Sequence, residues 1–106
     1  MKVYISGPIS RGGTASIEEI RENVARFEDA AAWVRSVGDE PLSPIQPQET
    51  DEKARLSWEE NMRLALRLLL DASAIMMLPG WSGSKGAWLE YKIAAELGYH
   101  MVVFPS

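Results

Sequence analysis

The order of apolar and polar residues divides the chain into short apolar runs of strand length and longer amphipathic segments. Residues 2–6, KVYIS, are rich in β-branched and aromatic side chains and end at a Gly-Pro pair, which predicts a central strand of an α/β sheet. Residues 74–78, AIMML, are continuously apolar, as is typical of a parallel strand covered on both faces. A last buried strand is predicted over residues 100–104. Residues 41–48 contain three prolines and allow at most a very short strand.

Three amphipathic segments separate these runs and predict helices. Apolar residues recur in them at spacings of three and four, which places them on one helical face. Ser16 and Ser57 each precede a glutamate by three residues and predict capping boxes, whereas Gly38 and Gly98 are suited to the left-handed residue after a helix. The predicted helices cover residues 17–37, 57–70 and about 84–97.

The element order β-α-(β)-α-β-α-β predicts a single domain over residues 1–106. Strands that alternate with helices form parallel sheets with right-handed crossovers. We therefore expect a flavodoxin-like or Rossmann-like three-layer α/β sandwich with a small parallel sheet of four to five strands. The charged residues 49–55 are expected to form a solvated, mobile surface segment.

Composition then excludes several classes of protein. The chain has no cysteine and one histidine, which argues against disulfides, a thiolate nucleophile and a multi-histidine metal site. We expect no metal and no cofactor. The net charge of −4 argues against binding to nucleic-acid polymers or anionic membranes. No apolar run approaches the roughly 18 residues of a membrane helix, and the N-terminus does not resemble a signal peptide, so we expect a cytoplasmic protein.

Two glycine-bearing loops follow the carboxyl ends of predicted strands, where ligands bind in open α/β sheets. Both loops contain hydroxyls and one cation, and both lead into a helix N-terminus, which favours an anion. The simpler alternative is a pair of ordinary βα loops, because neither matches a dinucleotide or Walker A motif. The candidate ligand-binding residues in the loops are Ser6, Gly7, Ile9, Arg11, Gly12, Trp81, Ser84 and Gly86.

Glu90 is the candidate reactive acid. It lies six residues after Ser84, about 9 Å along the helix, and helical side chains lean back toward the N-terminus. Apolar neighbours would desolvate its carboxylate. The alternative is a solvated helix acid that pairs with Lys85 or Lys92. Trp81 could stack on a base or pack between helix and sheet.

Three segments, VYISGPI, SWEENM and AIMMLPGWSGSKGAWLEYKIAAELG, resemble the DUF4406 proteins, which are similar to the nucleoside 2-deoxyribosyltransferase superfamily. That superfamily includes 2′-deoxynucleoside 5′-phosphate N-hydrolases. The resemblance implies a flavodoxin-like fold and cleavage of the N-glycosidic bond of a deoxyribonucleoside or its 5′-monophosphate. It further implies a helix glutamate that attacks the anomeric carbon, with water or a second base resolving the glycosyl-enzyme intermediate.

Carried onto this chain, the resemblance makes Glu90 the nucleophile and places the family's first-strand tyrosine on or near Tyr4. It implies that Ser84 meets the 5′-phosphate, followed by Gly86, with Arg11 in the first loop. The family has an aspartate early in the helix before the third long strand, whereas residues 59–63 here read EENMR. Asn61 or Glu60 could take the place of that aspartate, although Asn61 could orient the nucleophile but could not protonate the leaving base.

That departure keeps other functions open. The chain is either an N-glycosidase or deoxyribosyltransferase, or a non-catalytic nucleotide-binding or sensing module on the same fold. A structural or interaction protein is a third possibility.

A homodimer is expected, with a monomer as the alternative. Trp33, Val37 and Leu68 lie off the main apolar stripes and would be exposed in a monomer. Pairing two copies would bury them, and twofold symmetry is the commonest arrangement. Trp33 and Trp58 are expected either in the core or at this contact.

Overall fold

The computed structural model describes residues 1–105 and contains a four-stranded sheet and three α-helices. Two single-turn 3-10 helices cover Arg11–Gly13 and Trp81–Gly83. No helix within these residues is long and apolar enough to cross a membrane. In chain order the elements are β1 (Lys2–Ser6), α1 (Ile17–Ser36), β2 (Glu40–Leu42), α2 (Trp58–Asp71), β3 (Ala74–Met77), α3 (Lys85–Glu96) and β4 (His100–Val103).

The sheet is parallel throughout and has the strand order β2-β1-β3-β4. From β1 the chain adds β2 on one side, then crosses to add β3 and β4 on the other. This order is the flavodoxin-like one, with its topological switch between β1 and β3. The α/β sandwich predicted from the sequence is confirmed, and a ligand crevice is expected beyond the carboxyl ends of these two strands.

Alternation along β1 assigns its side chains to two different layers. Val3 and Ile5 pack with Phe27 of α1 in one buried cluster. Tyr4 packs on the opposite face in a second buried cluster, with Leu69 of α2 and Ala87 of α3. Because successive strand residues face opposite sides, Tyr4 and Ser6 both point toward the α2 and α3 layer.

The helix ends follow the predicted capping signals. The hydroxyl of Ser57 accepts a hydrogen bond from the Glu60 N–H, and the Glu60 carboxylate accepts one from the Ser57 N–H. At Ser16 only half of the predicted capping box forms in the described chain. The Ser16 hydroxyl accepts from the Glu19 N–H at 3.1 Å, whereas the Glu19 carboxylate lies 3.4 Å from the Arg11 guanidinium. Gly38 follows the α1 cap residue with φ 88°, a left-handed conformation that costs glycine little.

The predicted buried strand at residues 100–104 is instead an exposed edge strand, β4. It pairs only with β3, and the side chains of His100, Met101 and Val103 are exposed. An edge strand has no neighbour on its second side, so an apolar sequence there does not guarantee burial. Val102 and Phe104 alone pack partly against the core.

The prediction of a solvated segment at residues 49–55 is wrong at both ends. Glu49 is only 4% exposed, and Arg55 is half-buried, whereas Asp51 to Ala54 between them are exposed. The Arg55 N–H donates to the Asp51 carbonyl at 2.9 Å, which closes a turn that directs the segment back toward the protein. The charge-rich composition of the segment therefore gives no sign that Glu49 is buried and Arg55 is half-buried.

Candidate functional site

A cavity of about 510 Å³ opens beyond the carboxyl ends of β1 and β3. Its walls are the loop after β1, the first turns of α3, one face of α2 and the 49–57 segment. This is the position expected from the strand order, and the volume suits a small molecule. The cavity is therefore the candidate ligand site.

Glu90 lies in the wall of this cavity and is held by β1. Its Oε2 accepts a hydrogen bond from the Tyr4 hydroxyl at 2.9 Å, and its Oε1 accepts one from the Ser6 hydroxyl at 2.7 Å. Both donors are fully buried, and Glu90 itself is 5% exposed. The two-residue period of β1 thus presents two hydroxyls to one carboxylate of α3, which fixes its orientation.

Burial and hydrogen bonding shift the pKa of the Glu90 carboxyl in opposite directions. Burial raises the pKa of Glu90 to about 7, although the hydrogen bonds from Ser6 and Tyr4 lower it in part. The pKa of Tyr4 is raised well above its usual value, by burial first and then by the adjacent Glu90 carboxylate. Tyr4 therefore remains a protonated donor at neutral pH, beside a carboxyl group that gains and loses its proton in the same range.

A family model described as a domain of unknown function, DUF4406, matches residues 1–103. The chain belongs to this family. No curated protein matches the sequence. The matched DUF4406 region extends from β1 through β4 and so includes every element that forms the cavity. The membership in DUF4406 predicted from the sequence is confirmed.

The α3 end of the cavity is formed by Ser84 and Gly86. The Ser84 hydroxyl oxygen accepts a hydrogen bond from the Ala87 N–H at 3.3 Å and caps the helix, which leaves its O–H free to donate. A Cβ atom at Gly86 would lie 3.1 Å from the Met62 sulfur. Gly86 therefore allows α2 and α3 to approach closely at the cavity wall.

The first loop contributes Gly7, Ile9, Arg11 and Gly12 to the cavity wall. The Ile9 carbonyl accepts from the Asn23 side-chain N–H at 2.8 Å, which ties the loop to α1. Arg11 adopts a left-handed conformation with φ 51°, and its guanidinium lies 3.4 Å from the Glu19 carboxylate. Its side chain is 68% exposed, so much of this cation faces solvent.

Asn61 lies in the cavity wall, where its side-chain N–H donates to the Leu56 carbonyl at 3.4 Å. Trp81 is outside the residues that line the cavity. Its ring instead packs against Trp88 and Tyr91, with centroid distances of 5.5 and 4.9 Å. This placement does not support Trp81 as a base-stacking residue.

The tryptophan that does line the cavity is Trp58, which the sequence placed in the core or at a subunit contact. The Lys85 ammonium lies 4.1 Å from the centroid of its ring. Trp58 is the second residue of the SWEE capping box, and its apolar side chain also fits the apolar stripe of the predicted helix. Its position at the α2 N-terminus is the signal that could have placed it beside the ligand loops.

The sequence reasoning also missed charged residues of the 49–57 wall, where Glu49, Glu52 and Arg55 line the cavity. Burial raises the pKa of the Glu49 carboxyl, while the Gln46 N–H and the charge of Arg55 oppose the rise. No periodic pattern marks this segment, so composition alone placed it in solvent. Within residues 1–105, no group of three or more metal-ligating side chains is positioned to hold a metal ion.

Proposed function

We propose that the protein cleaves the N-glycosidic bond of a 2′-deoxyribonucleoside or its 5′-monophosphate, by hydrolysis or by transfer of the deoxyribosyl group. The observation that carries the proposal is the Glu90 carboxylate, held in a cavity wall by the hydroxyls of Tyr4 and Ser6. The resemblance to the nucleoside 2-deoxyribosyltransferase superfamily supports the same reaction. The proposal keeps the cytoplasmic setting expected from the sequence.

In the proposed reaction, Glu90 acts as the nucleophile. One carboxylate oxygen forms a bond to C1′ of the sugar as the bond from C1′ to the base nitrogen breaks, through an oxocarbenium-like transition state. The base leaves with the bonding electron pair and takes up a proton from solvent water. Water, or the nitrogen of a second base, then attacks C1′, loses its proton to the solvent and releases Glu90 as a carboxylate.

Tyr4 and Ser6 act as positioning residues in this scheme. Each donates one hydrogen bond to Glu90, and a carboxylate oxygen that accepts one bond keeps a lone pair for attack. Both donors also favour the ionised carboxyl, which is the nucleophilic form. They therefore oppose the burial that would otherwise hold Glu90 in its neutral, unreactive state.

The alternative is a module that binds nucleotides without turning them over. Asn61 favours this alternative, because an amide in the cavity wall can hydrogen-bond to a base but cannot protonate it at neutral pH. Under this alternative, Glu90 would serve to bind a sugar hydroxyl.

The decisive experiment measures release of free base. The purified protein is incubated with a panel of 2′-deoxyribonucleosides and their 5′-monophosphates, and free base is quantified by chromatography. Glu90→Gln should lower the rate at least about 10³-fold, because the amide retains the shape and lacks the nucleophile. Glu96→Gln is the matched control, since Glu96 is an exposed acid on the same helix outside the cavity.

Two results would reject the proposal. Base release by Glu90→Gln at the wild-type rate would remove Glu90 from the mechanism. Nucleotide binding by wild-type protein with no base release across the panel would favour the binding module instead.

A further inference from the structure

A polar side chain of α1 contacts the loop after β1 from the layer opposite to α2 and α3. Asn23 is 8% exposed and is the one polar member of the six buried residues of α1. Its side-chain N–H donates to the Ile9 carbonyl at 2.8 Å, and its Oδ1 accepts from the Arg26 guanidinium at 3.0 Å. A buried amide is costly unless it is hydrogen-bonded, so these two contacts account for a polar residue in an apolar helix face.

Arg26 determines which way the Asn23 amide points. A guanidinium only donates hydrogen bonds, so it selects the amide oxygen and leaves the amide nitrogen facing the Ile9 carbonyl. Arg26 follows Asn23 by three residues on α1, a spacing that makes the two side chains neighbours on the helix surface. The bond from Asn23 to the loop is therefore oriented within α1 itself.

The loop after β1 has open space on two sides. On one side lies the candidate ligand cavity, and on the other lies a second cavity of about 540 Å³ whose walls include Pro8, Asn23 and Arg26. Arg11 lines both cavities. Because cavities flank the loop, side-chain contacts from α1 contribute much of what holds its position.

The tip of the loop has a backbone conformation that needs such a contact. Arg11, Gly12 and Gly13 have φ values of 51°, 67° and 93°, and this left-handed region is disfavoured for a residue with a Cβ atom, such as Arg11. The other contact from α1 is the ion pair between Arg11 and Glu19, whose side chains are 68% and 45% exposed, so water weakens it. The buried hydrogen bond from Asn23 is thus the stronger of the two contacts.

We infer that Asn23 is a positioning residue, which holds the loop after β1 where it forms the cavity wall and so sets the affinity for the substrate. This inference rests on the proposed function, because it takes the occupant of the cavity to be a deoxyribonucleoside or its monophosphate. Asn23 acts through Ile9 and does not itself line the cavity. Tyr4 and Ser6 hold Glu90 from β1, so loss of Asn23 leaves the nucleophile in place.

Three variants separate positioning from stability. Asn23→Asp keeps the size and the acceptor for Arg26, but its carboxylate offers no N–H to the Ile9 carbonyl. Asn23→Leu removes both hydrogen bonds. Phe27→Leu is the matched control, because Phe27 is buried on the same face of α1 outside both cavities, so its loss lowers stability and leaves the contact to the loop intact.

Two measurements are made on each variant. Steady-state base release from the substrate panel gives kcat, KM and the pH profile of kcat/KM. Hydrogen exchange of the Gly13 and Ala15 N–H groups, which both bond to the Ser10 carbonyl, reports on the loop in the protein without ligand.

Both Asn23 variants should raise KM roughly tenfold and leave kcat and the pKa of the pH profile at their wild-type values, because only binding bears the cost of ordering the loop. Exchange at Gly13 and Ala15 should accelerate at least about fivefold, whereas Phe27→Leu should match wild type in KM. Asn23→Asp alone carries the test if Asn23→Leu does not fold. A loss confined to kcat, a shifted pKa, unchanged exchange, or an equal rise of KM in Phe27→Leu would overturn the inference.

Binding separates this inference from the proposed function. If wild type releases no base, calorimetry with the same panel replaces KM. Weaker binding by the Asn23 variants than by wild type and Phe27→Leu would then retain the inference and reject the enzymatic proposal, and no binding by wild type would overturn both. Base release with a wild-type KM in both Asn23 variants would retain the enzymatic proposal and reject the inference.

Discussion

At the scale of single residues, the proposed reaction depends on the balance between burial and hydrogen bonding around the Glu90 carboxyl group. Burial alone would keep Glu90 neutral, and the hydroxyls of Tyr4 and Ser6 restore part of the stability of its ionised form. Glu90 was identified in the sequence by its place on α3. The apolar sequence neighbours of Glu90 also predicted that its carboxylate would be desolvated. The two hydrogen bonds from Tyr4 and Ser6 were not predicted, because they depend on how β1 lies against α3 in the folded chain.

The first prediction concerns the pH dependence of base release. Because the pKa of Glu90 is about 7, kcat/KM should rise with pH through that value and level off above it. Tyr4→Phe removes one donor to the carboxylate, so the apparent pKa should move upward and kcat/KM at pH 7 should fall about tenfold. A profile measured from pH 5 to 9 checks both statements. An unshifted profile in Tyr4→Phe would show that Tyr4 does not tune Glu90.

The burial of Glu90 also predicts a change in the free energy of unfolding with pH. The folded-state pKa of Glu90 lies above its usual value, so between about pH 4.5 and 7 the folded protein binds more protons than the unfolded chain. The free energy of unfolding therefore falls as pH rises through this window. Glu90→Gln has no charge to bury and should gain up to about 3 kcal/mol relative to wild type between pH 5 and pH 8. Urea unfolding at both values measures the difference, and a pH-independent difference would contradict the interpretation.

At the scale of elements, the capping signals, which act within a few residues, predicted where helices begin and end. The capping box at Ser57 and the glycine after α1 fixed the ends of the helices as predicted. The β4 sequence predicted a strand correctly but not its exposure, which depends on which other strand lies beside it. The 49–55 segment has no hydrophobic period, so its sequence does not show that local turns at Gln46 and Asp51 direct Glu49 and Arg55 toward the protein.

The prediction at the scale of elements concerns Gly7, which lies where the loop after β1 passes the end of β3. A Cβ atom at Gly7 would lie 2.8 Å from the Leu78 Cβ, a distance too short for two carbon atoms. Gly7→Ala should therefore destabilise the protein by about 1–3 kcal/mol and displace the first loop of the cavity. Gly83→Ala is the control, since its added Cβ would meet nothing within 4 Å. Equal thermal unfolding midpoints for the two variants would refute the clash.

At the scale of the whole molecule, several apolar side chains have no cover within residues 1–105. Trp33 and Val37 are 43% and 52% exposed, in agreement with the sequence. Leu68 was expected beside them in solvent, but it is partly buried against the second core cluster. Trp33 also contacts Phe104, with ring centroids 5.7 Å apart, so its surface continues toward the exposed edge strand β4.

We expect this surface to pair two copies of the chain. Sedimentation equilibrium at micromolar concentration should give the mass of a dimer, and Trp33→Glu should shift the equilibrium toward monomer by placing a charge in the contact. Arg35→Glu, a charge change at an exposed position on the same helix, controls for the introduced acid. A single species of monomer mass for wild type would exclude the dimer.

The hydrogen bond between Tyr4 and Glu90 joins residues that are 86 positions apart in the sequence. Contacts of such long range form late, because the loop between them must close before they return any stability. During folding, Glu90 is consequently an ordinary hydrated acid until the first strand and the last helix have met. The proposed reactivity would then arise only in molecules that have completed the fold, and incompletely folded chains would contain Glu90 as an ordinary surface acid.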